Sequence, residues 1–93
     1  MGDTTFKHHT TKNVAYTGTA GTIAATDKST TKVRIWTTTD AFIAIGAAPT
    51  ATTSDMPITA GLAEYFDITP EHKVSFLQVS SGGTGYVSEM RKE

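Results

Sequence analysis

Residues 32–39 read Lys-Val-Arg-Ile-Trp-Thr-Thr-Thr. An extended backbone sends Val33, Ile35 and Thr37 to one side and Arg34, Trp36 and Thr38 to the other. The same period of two returns in residues 63–68, where Phe66 and Ile68 share the side expected to face a core and Tyr65 and Asp67 oppose them. In residues 73–80, Val74 and Phe76 lie opposite Leu77 and Val79, which predicts a central strand or one with a covered outer face. A chain built from such short alternating runs buries one face of each and is confined to β-sheet layers.

The residues between these runs are turn formers. Asp40 marks a tight connection into residues 41–47, predicted as the partner strand of 32–39 with Ile43 and Ile45 facing inward. Residues 48–57 form a loop that contains Pro49, Pro57 and a Thr-Thr-Ser-Asp cluster. A short strand around Ile58 ends at Ala60-Gly61, and residues 61–65 have room for one helical turn at most. Thr69-Pro70-Glu71-His72 fits a type I turn with Pro at its second position. Ser81-Gly82-Gly83 reads as a hairpin turn from which residues 84–90 return antiparallel, leaving Arg91-Lys92-Glu93 as a charged tail. Residues 14–26 are broken by Gly18 and Gly21 and rich in threonine, so they read as extended. The predicted architecture is all-β, a single small antiparallel sandwich or barrel of six to seven short strands over residues 14–93. Residues 1–13, with Phe6 as their one aromatic, read as an arm ordered by a neighbour.

Composition supports strand and narrows function. Nineteen of the 93 residues are threonine, a β-branched type that disfavours helix and suits a half-buried pleated surface. There is no cysteine, so neither a disulfide nor a zinc–thiolate site can supplement a small core. Oligomerisation is the common remaining route to stability at this size, and a homo-oligomer is expected. Eight Lys and Arg against nine Asp and Glu give a net charge of −1, without the basic excess expected of a nucleic-acid binder. Lys28, Lys32 and Arg34 read as charges along a solvated strand edge. No apolar run is long enough to span a bilayer. The first residues lack the apolar stretch of a signal peptide, so the chain is expected to be made in, and to stay in, the cytoplasm of the producing cell.

No constellation points to catalysis, a cofactor or a metal. His8 and His9 are adjacent and point to opposite sides of an extended chain, so they do not converge on one ion. His72 stands alone in a turn. Asp55, Glu64, Asp67 and Glu71 lack calcium-loop spacing and read as solvated faces and caps. The serines lack the nucleophile-elbow pattern, and the glycines of residues 80–85 lack the lysine and helix of a phosphate loop. Catalytic, cofactor and metal residues are therefore all predicted to be none. Trp36 is the outstanding candidate for binding. It either anchors an interface from an outer face, or it sits in the core while Val33 and Ile35 meet solvent. Pro49, Thr50, Met56 and Pro57, in a proline-stiffened loop, and Phe6 in the arm complete the candidate partner-binding set.

Residues 32–90 also carry a resemblance. Lys32-Val-Arg-Ile-Trp, then Ala41-Phe-Ile-Ala-Ile-Gly-Ala-Ala-Pro-Thr-Ala-Thr-Thr-Ser-Asp-Met-Pro-Ile-Thr-Ala-Gly, Glu64-Tyr-Phe-Asp-Ile, Lys73-Val-Ser-Phe-Leu-Gln-Val and Gly82-Gly-Thr-Gly-Tyr-Val-Ser-Glu-Met resemble small virion structural proteins of tailed bacteriophages and prophages. The resemblance implies a non-enzymatic module located in the virion. Such a module is a capsid decoration or cement subunit bound to the major capsid protein, or else a head–tail connector, collar or tail subunit bound to other virion proteins. A carbohydrate-binding sandwich using Trp36, Tyr65 and Tyr86 is the reading from outside that class.

Overall fold

The computed structural model describes residues 6–92. They form eight strands and no helix: β1 Phe6–Tyr16, β2 Gly21–Thr22, β3 Lys32–Thr37, β4 Ala41–Gly46, β5 Met56–Ile58, β6 Glu64–Asp67, β7 Lys73–Gln78 and β8 Gly83–Lys92. These assemble into two four-stranded sheets, ordered β1-β8-β3-β6 and β2-β7-β4-β5, with every pairing antiparallel. The result is a small β-sandwich rather than a closed barrel. Val33, Ile35 and Thr37 of β3 are fully buried, as are Val74 and Phe76 of β7 and Val87 of β8. Ile43, Ile58, Ile23 and Tyr16 join them in the core. The alternation in β3 thus resolves as Val33 and Ile35 inward and Trp36 outward, and β7 is indeed an inner strand.

The connections differ from the expected hairpins. Strands β3 and β4 lie in different sheets, as do β7 and β8, so neither Asp40 nor Ser81-Gly82-Gly83 closes a hairpin. Only β4 and β5 are both consecutive in the chain and neighbours in a sheet. Gly82 and Gly83 lack positive φ. Their smallness serves close approach instead: a Cβ at Gly82 would fall 2.9 Å from the Tyr16 carbonyl oxygen, and one at Gly83 2.5 Å from Thr39 Oγ1. The crossing is built around Tyr16, whose hydroxyl donates to the Thr39 carbonyl at 2.7 Å and whose ring stacks on Phe76 with centroids 5.8 Å apart. The Phe76 ring in turn occupies the space that a side chain at Gly85 would need.

Two further expectations are corrected at the ends of the chain. Residues 6–13, expected in an arm, belong to β1, which pairs with β8 from Phe6↔Lys92 to Tyr16↔Gly83. Backbone pairing satisfies the strand where apolar content does not, so a stretch rich in Thr, Lys and His still forms an edge. Arg91 and Lys92, expected in a tail, are the other half of that ribbon. Lys32 and Arg34 are not on a sheet edge either: β3 lies between β8 and β6, and Lys32 pairs with Asp67 at 3.0 Å.

Glu89 is fully buried on the core-facing side of β8, two residues beyond Val87. Lys12 of β1 donates to its carboxylate, as do the Asp27 N–H at 2.8 Å and the Thr30 hydroxyl at 2.7 Å. Burial alone would raise its pKa. The hydrogen bonds from Asp27, Lys12 and Thr30 outweigh that and hold the carboxyl below the ordinary glutamate range. Nearby Asp27 is also lowered, first by the Ser29 hydroxyl and N–H and then by His9 and Arg91.

The turn at Thr69–His72 closes with His72 N–H donating to the Thr69 carbonyl at 3.0 Å. Glu71 takes φ of 68°, the signature of a type II turn rather than the expected type I. A left-handed non-glycine residue costs about 1–2 kcal/mol, part of which glycine returns through its greater unfolded-state freedom. Glu71→Gly is therefore expected to stabilise the protein by about 0.5–1 kcal/mol in denaturant titration.

Glu89→Gln leaves Lys12 without its counter-charge. It is expected to cost about 2–3 kcal/mol at neutral pH, below the loss for a wholly buried pair because Lys12 keeps 28% of its side chain in water. A carboxyl with a lowered folded pKa contributes stability above its unfolded value of about 4.3 and loses it as pH falls through the folded value. The gap between wild type and Glu89→Gln is expected to close on the acid side of pH 4 in urea melts, and a gap constant down to about pH 2 would contradict this assignment.

Candidate functional site

Registers in the β1-β8-β3-β6 sheet decide which outward side chains meet. Trp36 lies opposite Tyr86, and Arg34 lies opposite Ser88 on one side and Tyr65 on the other. Because directly opposed residues share a face, Arg34, Trp36, Tyr65, Tyr86 and Ser88 all project from the outer surface of this sheet. Trp36, Tyr86 and Arg34 are half-buried, and Tyr65 is 58% exposed. The Trp36 and Tyr86 rings are tilted at 53° with centroids 5.6 Å apart. Together with Thr11 and Ser88 they line an open groove of about 330 Å³ that runs across β1, β8 and β3. Thr11 Oγ1 and Ser88 Oγ hydrogen-bond to each other at 3.0 Å across its floor.

Trp36 is therefore an outer-face residue and not a core residue, since Val33 and Ile35 fill the interior from the same strand. A half-buried aromatic pair beside an arginine offers planar apolar area and directed N–H donors, the composition enriched at interface centres. Among the described residues, the groove's lining is Thr11, Arg34, Trp36, Tyr86 and Ser88, with no carboxylate.

The prolyl loop is a separate surface. Residues 47–55 fold back over the β7 side of the other sheet, where Ala51 is buried and donates its N–H to Ser75 Oγ at 2.9 Å. Asp55 caps the loop by accepting from the Thr52 N–H at 2.7 Å. Thr50 and Pro57 are exposed, Met56 is 51% exposed, and Pro49 is half-buried. Gly46 closes β4 without a positive φ. Met56, Ser54 and Asp55 border a second groove of about 370 Å³ with Ile43, Ala44, Ile45 and Phe66. It shares no lining residue with the Trp36 groove, so the candidate set divides into two surfaces. Phe6 opens β1 at the far end of the ribbon, and its side chain lies outside the described residues.

His8 is exposed and its Nε2 meets Thr11 Oγ1 at 2.8 Å, while His9 sits at the irregularity between His8 and Thr10 and meets Arg91 at 3.0 Å. No group of three or more His, Asp or Glu suited to a metal ion occurs among the described residues. Arg34, Thr11 and Ser88 of the Trp36 groove lie outside the binding set expected from sequence. The outward parity of Arg34 with Trp36 was the available signal for the first; the other two depend on pairing between distant strands.

The two faces of β3 give a direct comparison. Trp36→Ala is expected to cost roughly 1 kcal/mol, for the partial area that the indole buries. Ile35→Ala is expected to cost about 3 kcal/mol, as a large-to-small change in the core. Equal losses in thermal or denaturant unfolding would return Trp36 to a core role.

Comparison of this chain with protein-family models, with curated protein sequences and with solved structures finds no match.

Proposed function

We propose that this chain is a non-enzymatic structural subunit of a tailed-phage virion, a decoration or cement protein that docks on the head shell and stabilises it. The observation that carries the contact is the outer face of the β1-β8-β3-β6 sheet. There Trp36, Tyr86 and Arg34 gather around one groove while the opposite face of the same strands closes the core. A decoration subunit needs a rigid platform of this kind, because side chains already held by sheet pairing lose little freedom on docking. The pattern of residues 32–90 supports placing the platform in a virion, with the major capsid protein as partner and further copies of the chain alongside. A head–tail connector, collar or tail position uses the same face against another virion protein.

A second reading has its own observation. Trp36, Tyr65 and Tyr86 share one face, the placement a carbohydrate-binding sandwich would require. Glycan-array binding that depends on these three rings would favour that reading.

The test uses particles of the phage that encodes the chain. The protein is expected in purified virions, and a reconstruction is expected to show copies that follow the shell lattice. A single ring of copies would place it at the connector or tail instead. Trp36→Ala is expected to lower occupancy by roughly tenfold or more, the loss typical of a central interface aromatic, while the melting temperature falls by only a few degrees. Absence of the chain from purified particles would overturn the proposal.

A further inference from the structure

Among the described residues, Arg34 is the only charged one lining the Trp36 groove. The neighbouring cation on the same strand face, Lys32, pairs with Asp67, and the other ion pairs among the described residues are Lys12–Glu89 and Arg91–Asp27. Arg34 thus enters no ion pair among the described residues, although its side chain is half-buried beside two aromatic rings. An arginine held in this way has shed part of its water and presents a planar fork of N–H donors to the groove. Such a group is satisfied best by a carboxylate, which the fork can bind through two parallel hydrogen bonds.

The remaining polar groups narrow the class of ligand. The hydroxyls of Thr11 and Ser88 are engaged with each other, so the groove offers few free donors and acceptors to read the ring hydroxyls of a sugar. One cation in the groove, with Lys32 beside it already paired to Asp67, falls short of the several phosphate contacts on which nucleic-acid binding rests. Trp36 and Tyr86 supply apolar walls, suited to the methylene stem behind an acidic side chain. We infer that the groove formed by Thr11, Arg34, Trp36, Tyr86 and Ser88 takes a glutamate or aspartate side chain of a protein partner, with Arg34 binding the carboxylate and the two rings packing its stem. The inference rests on the reading of this face as the docking surface, and it adds the chemistry that the partner presents.

The experiment needs no particle, so it stands or falls apart from the virion assignment. The full chain, labelled with nitrogen-15, is titrated by NMR with N-acetylglutamate amide, which keeps the side-chain carboxylate, and with its neutral counterpart N-acetylglutamine amide. Glucuronate and inorganic phosphate form further arms. The carboxylate peptide mimic is expected to shift the Trp36 indole N–H, the Arg34 Nε–H and the Tyr86 and Ser88 amides saturably, and the neutral amide is expected not to. Arg34→Gln should weaken binding by roughly tenfold or more, and Arg34→Lys by less, since one charge remains without the fork. Both variants should keep the dispersed spectrum of the folded sheet.

Three results would overturn the inference. One is shifts scattered away from the groove. Another is equal response to the charged and neutral amides. The last is binding unchanged in Arg34→Gln. Tighter binding of glucuronate than of the peptide mimic would assign the groove to acidic sugars and remove the protein partner; tighter binding of phosphate would do the same for phosphorylated ligands. If the peptide mimic binds as expected while the chain is absent from virions, the groove chemistry stands and the phage assignment fails.

Discussion

The carboxylate of Glu89 is the point on which the β1-β8-β3-β6 sheet is registered. It reaches inward from β8 and gathers Lys12 from β1 with Asp27 and Thr30 from the connection between β2 and β3. Buried ion pairs are weak sources of net stability, because desolvation cancels much of the attraction. Their better use is to specify one arrangement. Strand β1 needs that: from Phe6 to Tyr16 its described inward apolar residues are Val14 and Tyr16, at one end. A strand with so little hydrophobic pattern can slip by a residue at small cost. Pairing Lys12 with an interior acid makes a slip expensive, since it would leave a buried charge alone.

With β1 fixed, the rest of that sheet acquires its two characters. The inner side of β3 and β8 is a close-packed apolar layer in which Gly85 leaves space for the Phe76 ring. The outer side carries the groove, and its floor is partly β1 itself, through Thr11. The same register therefore governs both the core and the proposed docking face. Trp36 can be displayed without loss of the fold because Val33, Ile35 and Val87 already supply the interior from the same two strands.

Much of this was legible in the sequence, and the limits have physical causes. Alternation in 32–39 separates two faces, and its buried residues fall on one of them as a period of two requires; in 73–80 Val74 and Phe76 are buried on one face and Ser75, under Ala51, on the other. Alternation says nothing about which strand lies alongside, however. The two expected hairpins failed for that reason: a turn rich in Gly or Asp serves equally for crossing between layers. Strand β1 escaped notice because its backbone pairs with β8 while its composition resembles an arm. Glu89 lies two residues beyond Val87, so parity pointed inward, but a charge is ordinarily read as outward unless its partners are known. The groove was half visible. Trp36 stands out in any reading, whereas its proximity to Tyr86 is a consequence of long-range pairing.

The order of strands also bears on how the protein is made. Both β1 and β3 pair with β8, which follows all the others along the chain. On a ribosome, β1 would wait, synthesised but unpaired, and β3 would have only β6 beside it, until the strand between them had been made. The other sheet gains only the β4–β5 hairpin from neighbours in sequence, and an isolated hairpin is marginal in water. Folding is thus a late, nearly all-or-none event, in the slow class of topologies dominated by distant contacts. Until then the apolar face of β3 is open to the cell, and Lys32 and Arg34, which alternate with it along the strand, are what keep the nascent chain apart from its copies.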